Sequence, residues 1–344
     1  EDSLLRLTDH LPSEAAEALL ELATGGQPAL PVVAAAGVDP FEHPDAQRRF
    51  RIMTDADELA RALDYPWDRW TVFLHPAQRY LVEKDYSGPA RVAGSAGTGK
   101  TIVALHRAVD LARRHPDARV LLTTFSETLA NALREKLRCL ISNTPRLGER
   151  LDVQAIDAVG ERLHEAQAGK ASIATQEEIR KFLAKHSADV PDLRFTQRFM
   201  LGEWEEVVDA WQLDSLADYL GVRRLGRKTR LPEAQRTLLW EVFSGLKLEL
   251  AERGLITRAQ LFSQLADGLA ARKHPPYEFA VVDEAQDISV QQLRFLAALA
   301  GERANGLFFA GDLGQRIFQT PFSWKSLGVD VRGRSQTLRI NYRT

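Results

Sequence analysis

Eight consecutive residues, Gly94-Ser95-Ala96-Gly97-Thr98-Gly99-Lys100-Thr101, follow the pattern G-x-x-x-x-G-K-[ST]. Each position has a chemical reason. Glycines let backbone amides curl around phosphate oxygens with no Cβ in the way, and a helix starting behind them points its positive end at the same anion. Lys100 is placed to reach the β- and γ-phosphates of a nucleotide, and the Thr101 hydroxyl to serve as a ligand for Mg²⁺. The alternative, a glycine-rich turn without a ligand, fits the flanks poorly. "ARVAG" before the loop reads as a strand and "TIVALHRAVDLARR" after it as a helix.

A second constellation, "FAVVDEAQD", ends an apolar strand in Asp283-Glu284. A carboxylate at a strand end can hold Mg²⁺ directly or through water, and its neighbour can take a proton from an attacking water. Asp283 is assigned the metal and Glu284 the proton. Paired acids after a strand also serve simply as the negative first turn of a helix; the company of a phosphate loop selects the catalytic reading.

The elements that must position these groups alternate. After "ARVAG" and its helix come the buried strand "ARVLLTTF" and the helix "SETLANALREKLRCLI". From Ile141 to Glu278 the chain is mostly helical and polar, punctuated by Trp204, Trp211 and Trp240. Strand, helix and strand then resume in "YEFAVVDEAQD", "VQQLRFLAALA" and "GLFFAGD". Such alternation predicts an α/β fold, a parallel P-loop NTPase sheet interrupted by a large helical insertion. Residues 71–140 and 279–330 form its two parts and residues 141–278 the insertion. Residues 1–70 read as a helical N-terminal extension without a motif: "LPSEAAEALLEL" offers Ser13 as an N-cap, and the Gly- and Pro-rich stretch that follows marks a boundary.

Composition narrows the classes. A chain of 344 residues exceeds the roughly 250–300 that one core serves, so two or three domains are expected. Cys139 is the only cysteine, which excludes an intramolecular disulfide and a cysteine-rich zinc site and fits a reducing, cytoplasmic compartment. With 45 Lys and Arg against 47 Asp and Glu, the molecule lacks the charge of a nonspecific nucleic-acid binder, so any DNA contact must be local. No apolar run approaches the roughly 18 residues of a membrane span; a soluble protein that needs no membrane is expected.

Taken in order, the motifs resemble those of the N-terminal motor region of superfamily 1 DNA helicases of the UvrD/Rep/PcrA type. "LHPAQRYLV" resembles the family's Q-motif, with Gln78 where adenine is recognised. The phosphate loop follows, and "LLTTFSETLANAL" resembles the motif whose aromatic, here Phe125, touches single-stranded DNA. "VVDEAQD" matches the acidic motif, "FFAGDLGQRIF" the G-D-x-x-Q-x-I motif and "LRINYRT" the N-Y-R-[ST] motif. The resemblance implies a RecA-like motor domain that couples hydrolysis of ATP, with Mg²⁺, to 3′-to-5′ movement on single-stranded DNA or on a duplex with a single-stranded tail. It implies that Gln315 senses the γ-phosphate and that Arg343 acts as an arginine finger, an effect worth about 10³–10⁵ in rate in such enzymes. Arg107 matches a family arginine near the nucleotide.

There are departures from the family's pattern. Thr320 stands where a stacking aromatic is usual; Phe322 and Trp324 follow, and Trp324 is expected to take over the stacking. The T-x-H motif is replaced by "VQAIDAVGERL", which brings Asp157, and Ile102 stands where relatives often place arginine. The basic segment Arg223–Arg230 either grips phosphates or is a solvated loop. Residues 331–344 are expected to begin a second motor domain, and a chain carrying one wall of the ATP cleft is expected to bind nucleotide weakly and hydrolyse it slowly. The rival reading is a regulatory or scaffold module in which ATP switches a binding surface and nothing is unwound.

Overall fold

Strands with buried residues on both faces need helices above and below, and the chain supplies them. In the computed structural model, residues 73–222, 231–270, 272, 274–301, 303–312 and 324–338 are described. The expectations for residues 1–70, the basic segment 223–230, Gln315, Phe322 and Arg343 lie outside them. The strands are β1 (Ala90–Gly94), β2 (Val120–Thr124), β3 (Leu151–Ala155), β4 (Ser172–Ile173), β5 (Leu255–Ile256), β6 (Phe279–Val282), β7 (Leu307–Ala310) and β8 (Ser335–Leu338). Six of them form one sheet in the order β3-β2-β6-β7-β1-β8, every pair parallel, and β4 pairs with β5 apart from it. The expected α/β parallel sheet is present.

Burial follows position in the sheet. The inner strands β2, β6 and β7 are buried at every residue, whereas edge strand β8 has none buried and edge strand β3 alternates. One face carries α1 (Pro76–Glu83), α2 (Lys100–Arg114) and α3 (Glu127–Leu140), whose Leu81, Leu105 and Leu133 share a core with Val92, Val281 and Phe308. On the other face are α4 (Ile156–Ala168), the later α9 (Arg258–Ala270) and α10 (Val290–Ala300), with Phe262 and Phe295 packed ring against ring at 5.4 Å.

Two boundaries differ from the sequence reading. The expected insertion, residues 141–278, includes β3, which pairs with β2 over its whole length. Its five residues alternate buried and half-buried, a period-2 signal too short to register until β2 offers an edge. At the other end, residues 335–338, expected to open a second domain, lie beside β1 in the same sheet, with Gly94 in register with Leu338. A segment as polar as "SQTL" is tolerated as a strand because only one of its edges is paired and little of it is covered.

The insertion has its own core. Between α4 and α9 run α5 (Gln176–Ala188), α6 (Gln197–Glu203), α7 (Leu216–Gly221) and α8 (Glu233–Glu252), with a π-helical turn at Trp204–Asp209. Trp204 and Tyr219 sit on Phe243, both with ring centroids 5.9 Å away, and Trp240 stacks on Tyr219, so these aromatics are packing residues. Glu249 of α8 is almost fully buried and ties α8 to α5: it accepts from Lys185 at 3.1 Å and faces His186 at 2.8 Å, with Arg253 at 2.7 Å on its other oxygen. Burial raises its pKa, but the hydrogen bonds from Lys185, Arg253 and His186 outweigh burial and hold it down at about 2. A carboxyl depressed from 4.5 to about 2 stabilises the fold fully above pH 4.5, and that contribution disappears as pH falls towards about 2. Thermal melts between these limits are expected to show a steeper acid loss in the wild type than in Glu249→Gln; identical slopes would dismiss the clamp.

Candidate nucleotide site

Because β6, β7 and β1 are neighbours and parallel, their carboxyl ends lie side by side, and the loops that leave them share one edge of the sheet. Ligands of open α/β sheets bind at that edge. The loop after β1 leads straight into α2, whose N-cap, Gly99, offers no side chain and whose first turn has no acid. By contrast α3 is capped by Ser126 and α10 by a Ser289–Gln292 capping box. The helix after β3, α4, is also uncapped but carries Asp157 in its first turn, so the orphan N–H groups of α2 are the ones best left to an anion. Gly99 adopts φ 82°, a left-handed conformation, and a Cβ there would stand 2.8 Å from Gln78 Nε2.

Lys100 donates from Nζ to the carbonyls of Gly94 at 2.7 Å and Ser95 at 3.0 Å, which holds the ammonium over the loop. Thr98 is buried and its hydroxyl donates to the Ser95 carbonyl at 2.8 Å, closing the loop on itself. Gln78, also buried, donates from Nε2 to the Thr98 carbonyl at 2.9 Å and accepts from His75 N at 3.3 Å. The Q-motif glutamine is thus fastened to the phosphate loop itself. Ser95 and Ala96 are exposed at its tip, while Gly97 is half-buried.

At the end of β6, Asp283 N donates to the Thr123 carbonyl at 2.8 Å, which draws the aspartate into the sheet. Burial and the adjacent Glu284 carboxylate push its pKa up to about 6, against hydrogen bonds from the Thr101 side chain and the Glu284 backbone and the attraction of Lys100. Here a buried acid at a strand end and a hydroxyl from the first turn of α2 meet at one point. Two hard oxygen donors suit Mg²⁺, which usually keeps water and phosphate oxygens as its remaining ligands. Asp283 and Thr101 would hold the ion.

Glu284 has φ 51° and ψ 45°, left-handed for a residue with a side chain. Its Oε2 accepts from Gln286 Nε2 at 2.6 Å, and Gln286 Oε1 accepts in turn from Asp312 N, at 3.1 Å, in the loop after β7. The sequence reading passed over Gln286. Its signal was available: two residues beyond the acid, after a strand end, an amide carries both a donor and an acceptor.

Two residues, Arg107 and Trp324, lie where the sequence reading did not expect them. Arg107, matched to a nucleotide contact, is fully buried inside α2. Its guanidinium donates to the carbonyls of Val82 and of Lys84, the latter at 2.9 Å, and to Asn305 Oδ1 at 2.8 Å, and it lies over the Tyr86 ring at 5.2 Å. Two turns past Lys100, it faces the interior rather than the phosphate loop. Trp324, expected to stack on DNA, is only 8% exposed and packs edge-on against Phe309 of β7, its ring 4.7 Å away. An indole so covered has no face for a base. Asp157, in place of the T-x-H motif, is paired with Arg258 of α9 and accepts from Gln292 of α10 at 2.8 Å, tying three helices together. Phe125, in contrast, stands 43% exposed just beyond β2, the strand next to β6.

A family model described as the UvrD/REP helicase N-terminal domain matches residues 74–322. No curated protein matches the chain.

Proposed function

The chain belongs to the UvrD/REP helicase family, and on that premise we propose that it is the motor wall of an ATP-dependent translocase or helicase acting on single-stranded DNA or tailed duplex. The observation that carries this is a single edge of the sheet. Lys100, the Thr101–Asp283 pair and Glu284 converge there, and Phe125 presents an exposed ring one strand away.

The roles follow from chemistry. Backbone amides at the α2 N-terminus and the Lys100 ammonium hold the β- and γ-phosphates, and Gln78 fixes the loop that carries them. Mg²⁺, when bound, screens the charge that develops as the γ-phosphoryl leaves. Glu284 orients a water and accepts its proton as the water oxygen attacks the γ-phosphorus and the bond to the β–γ bridging oxygen breaks. Gln315 as γ-phosphate sensor and Arg343 as arginine finger are carried by family resemblance. So is 3′-to-5′ polarity.

Hydrolysis of ATP measured with and without single-stranded DNA tests the proposal. With both walls of the cleft present clear stimulation is expected, one wall alone turning ATP over slowly, and strand displacement from 3′-tailed rather than 5′-tailed duplexes then reads the polarity. A nucleotide-driven switch without unwinding is the second reading, favoured by the burial of Trp324, which removes one expected DNA contact. Nucleotide binding without any response to DNA would support it. Phe125→Ala is expected to weaken single-stranded DNA binding by about 1–3 kcal/mol, the worth of one stacked base, and to leave the melting temperature nearly unchanged. Fluorescence anisotropy with a labelled oligonucleotide checks this; unchanged affinity would remove Phe125 from the DNA track.

A further inference from the structure

We propose that Gln286 is a positioning residue that sets the Glu284 carboxylate and couples it to the loop after β7. Glu284 stands on a left-handed backbone, φ 51° and ψ 45°, a conformation disfavoured for any residue with a Cβ and kept only where the surroundings hold it. Its side chain would otherwise turn about three torsions. The Gln286 amide fixes it by donating from Nε2 to Oε2 at 2.6 Å. The other end of the same amide accepts from Asp312 N at 3.1 Å. One orientation alone satisfies both partners, since a carboxylate only accepts and a backbone N–H only donates. Glutamate in this place would set two carboxylates against each other, and lysine would set an ammonium against an N–H.

The approach is tight. A Cβ on Gly311 would fall 2.5 Å from Gln286 Oε1 and 2.7 Å from Ala285 N, so the loop comes this near only as glycine. Gly311 is also pinned to β1, its N donating to the Val92 carbonyl at 3.1 Å. Asp312 opens the segment that carries Gln315. The amide that holds the Glu284 carboxylate is therefore tied to the backbone of Asp312. This inference rests on the hydrolytic reading of the site.

The test is single-turnover ATP hydrolysis with protein in excess, for wild type, Gln286→Ala, Gln286→Glu, Glu284→Gln and the Glu284→Gln/Gln286→Ala double variant. A lost orienting hydrogen bond is expected to lower the limiting rate by about tenfold or more in both Gln286 variants, with half-saturation within about threefold of wild type. The double variant is expected to be no slower than Glu284→Gln alone, because the amide acts through the base. Limiting rates within twofold of wild type, a loss confined to half-saturation, or additive losses in the double variant would overturn the inference. Gln286→Glu preserves side-chain volume, and its melting curve separates misfolding from mispositioning. Hydrogen exchange at the Asp312 amide reads the tie without turnover: exchange about tenfold faster in Gln286→Ala is expected, and unchanged exchange overturns it. A wild type that hydrolyses no ATP even with both walls of the cleft present, yet shows the exchange effect, sinks the hydrolytic reading and leaves the tie standing.

Discussion

Glu284→Gln is expected to lower the limiting rate of ATP hydrolysis by about 10²–10⁴, the usual worth of a positioned general base. The substitution keeps the length and shape of the side chain and removes only its capacity to hold a proton. The phosphate loop is untouched: Lys100 remains over the Gly94 and Ser95 carbonyls, and Gln78 remains on Thr98. Nucleotide affinity is therefore expected to stay within about threefold of wild type, since ground-state phosphate contacts dominate binding. Rapid-quench single turnovers and titration with a fluorescent nucleotide measure the two quantities. A rate unchanged within experimental error would show that Glu284 is no base, and a parallel loss of affinity would mean that it serves the loop instead.

Arg107→Ala is expected to cost about 3–5 kcal/mol of stability, as when a large buried side chain is cut to alanine and buried carbonyls are left unpaired. At about 2–4 °C per kcal/mol for a domain of this size, the melting temperature falls by roughly 10 °C. The reason is the number of groups that depend on one guanidinium. Removing it strands the carbonyls of Val82 and Lys84 and opens a space between the Tyr86 and Phe308 rings. Asn305 loses one of its partners too; it sits at a left-handed φ of 62° and joins Arg107, Tyr86 N and Asp85 at the entry to β7. Arg107→Lys is expected to rescue little, because a single ammonium cannot span the carbonyls on one side and Asn305 on the other. Nucleotide affinity of the folded fraction is expected to be unaffected. A variant with wild-type stability and weakened nucleotide binding would restore the contact that the family resemblance assigns to this arginine.

Arg107 also shows why parts of the site could not be read from sequence. Lys100, Thr101, Asp283 and Glu284 were legible because each is demanded by local chemistry, a phosphate loop before a helix or acids at the end of a strand. Arg107 lies about 10 Å along the same helix from Lys100. Nothing in its neighbours says which way it points, since its Asn305 partner is 198 residues away. Trp324 fails for the same reason: an indole near a DNA motif and an indole against Phe309 have one sequence and two environments. For Phe125 the sequence fits an exposed or a covered ring equally well, and its exposure beyond β2 came from the packing.

By itself, then, the sequence determined the kinds of element, the phosphate loop and the acidic pair, because glycine freedom, helix dipoles and strand-end carboxylates act over a few residues. Tertiary structure alone decided that β3 and β8 close the two edges of the sheet, that Arg107 and Trp324 turn inward, and that Gln286 joins Glu284 to Asp312. Those outcomes depend on partners far apart in the chain. Burial and hydrogen-bond pairing are properties of the assembled neighbourhood, which no local spacing encodes.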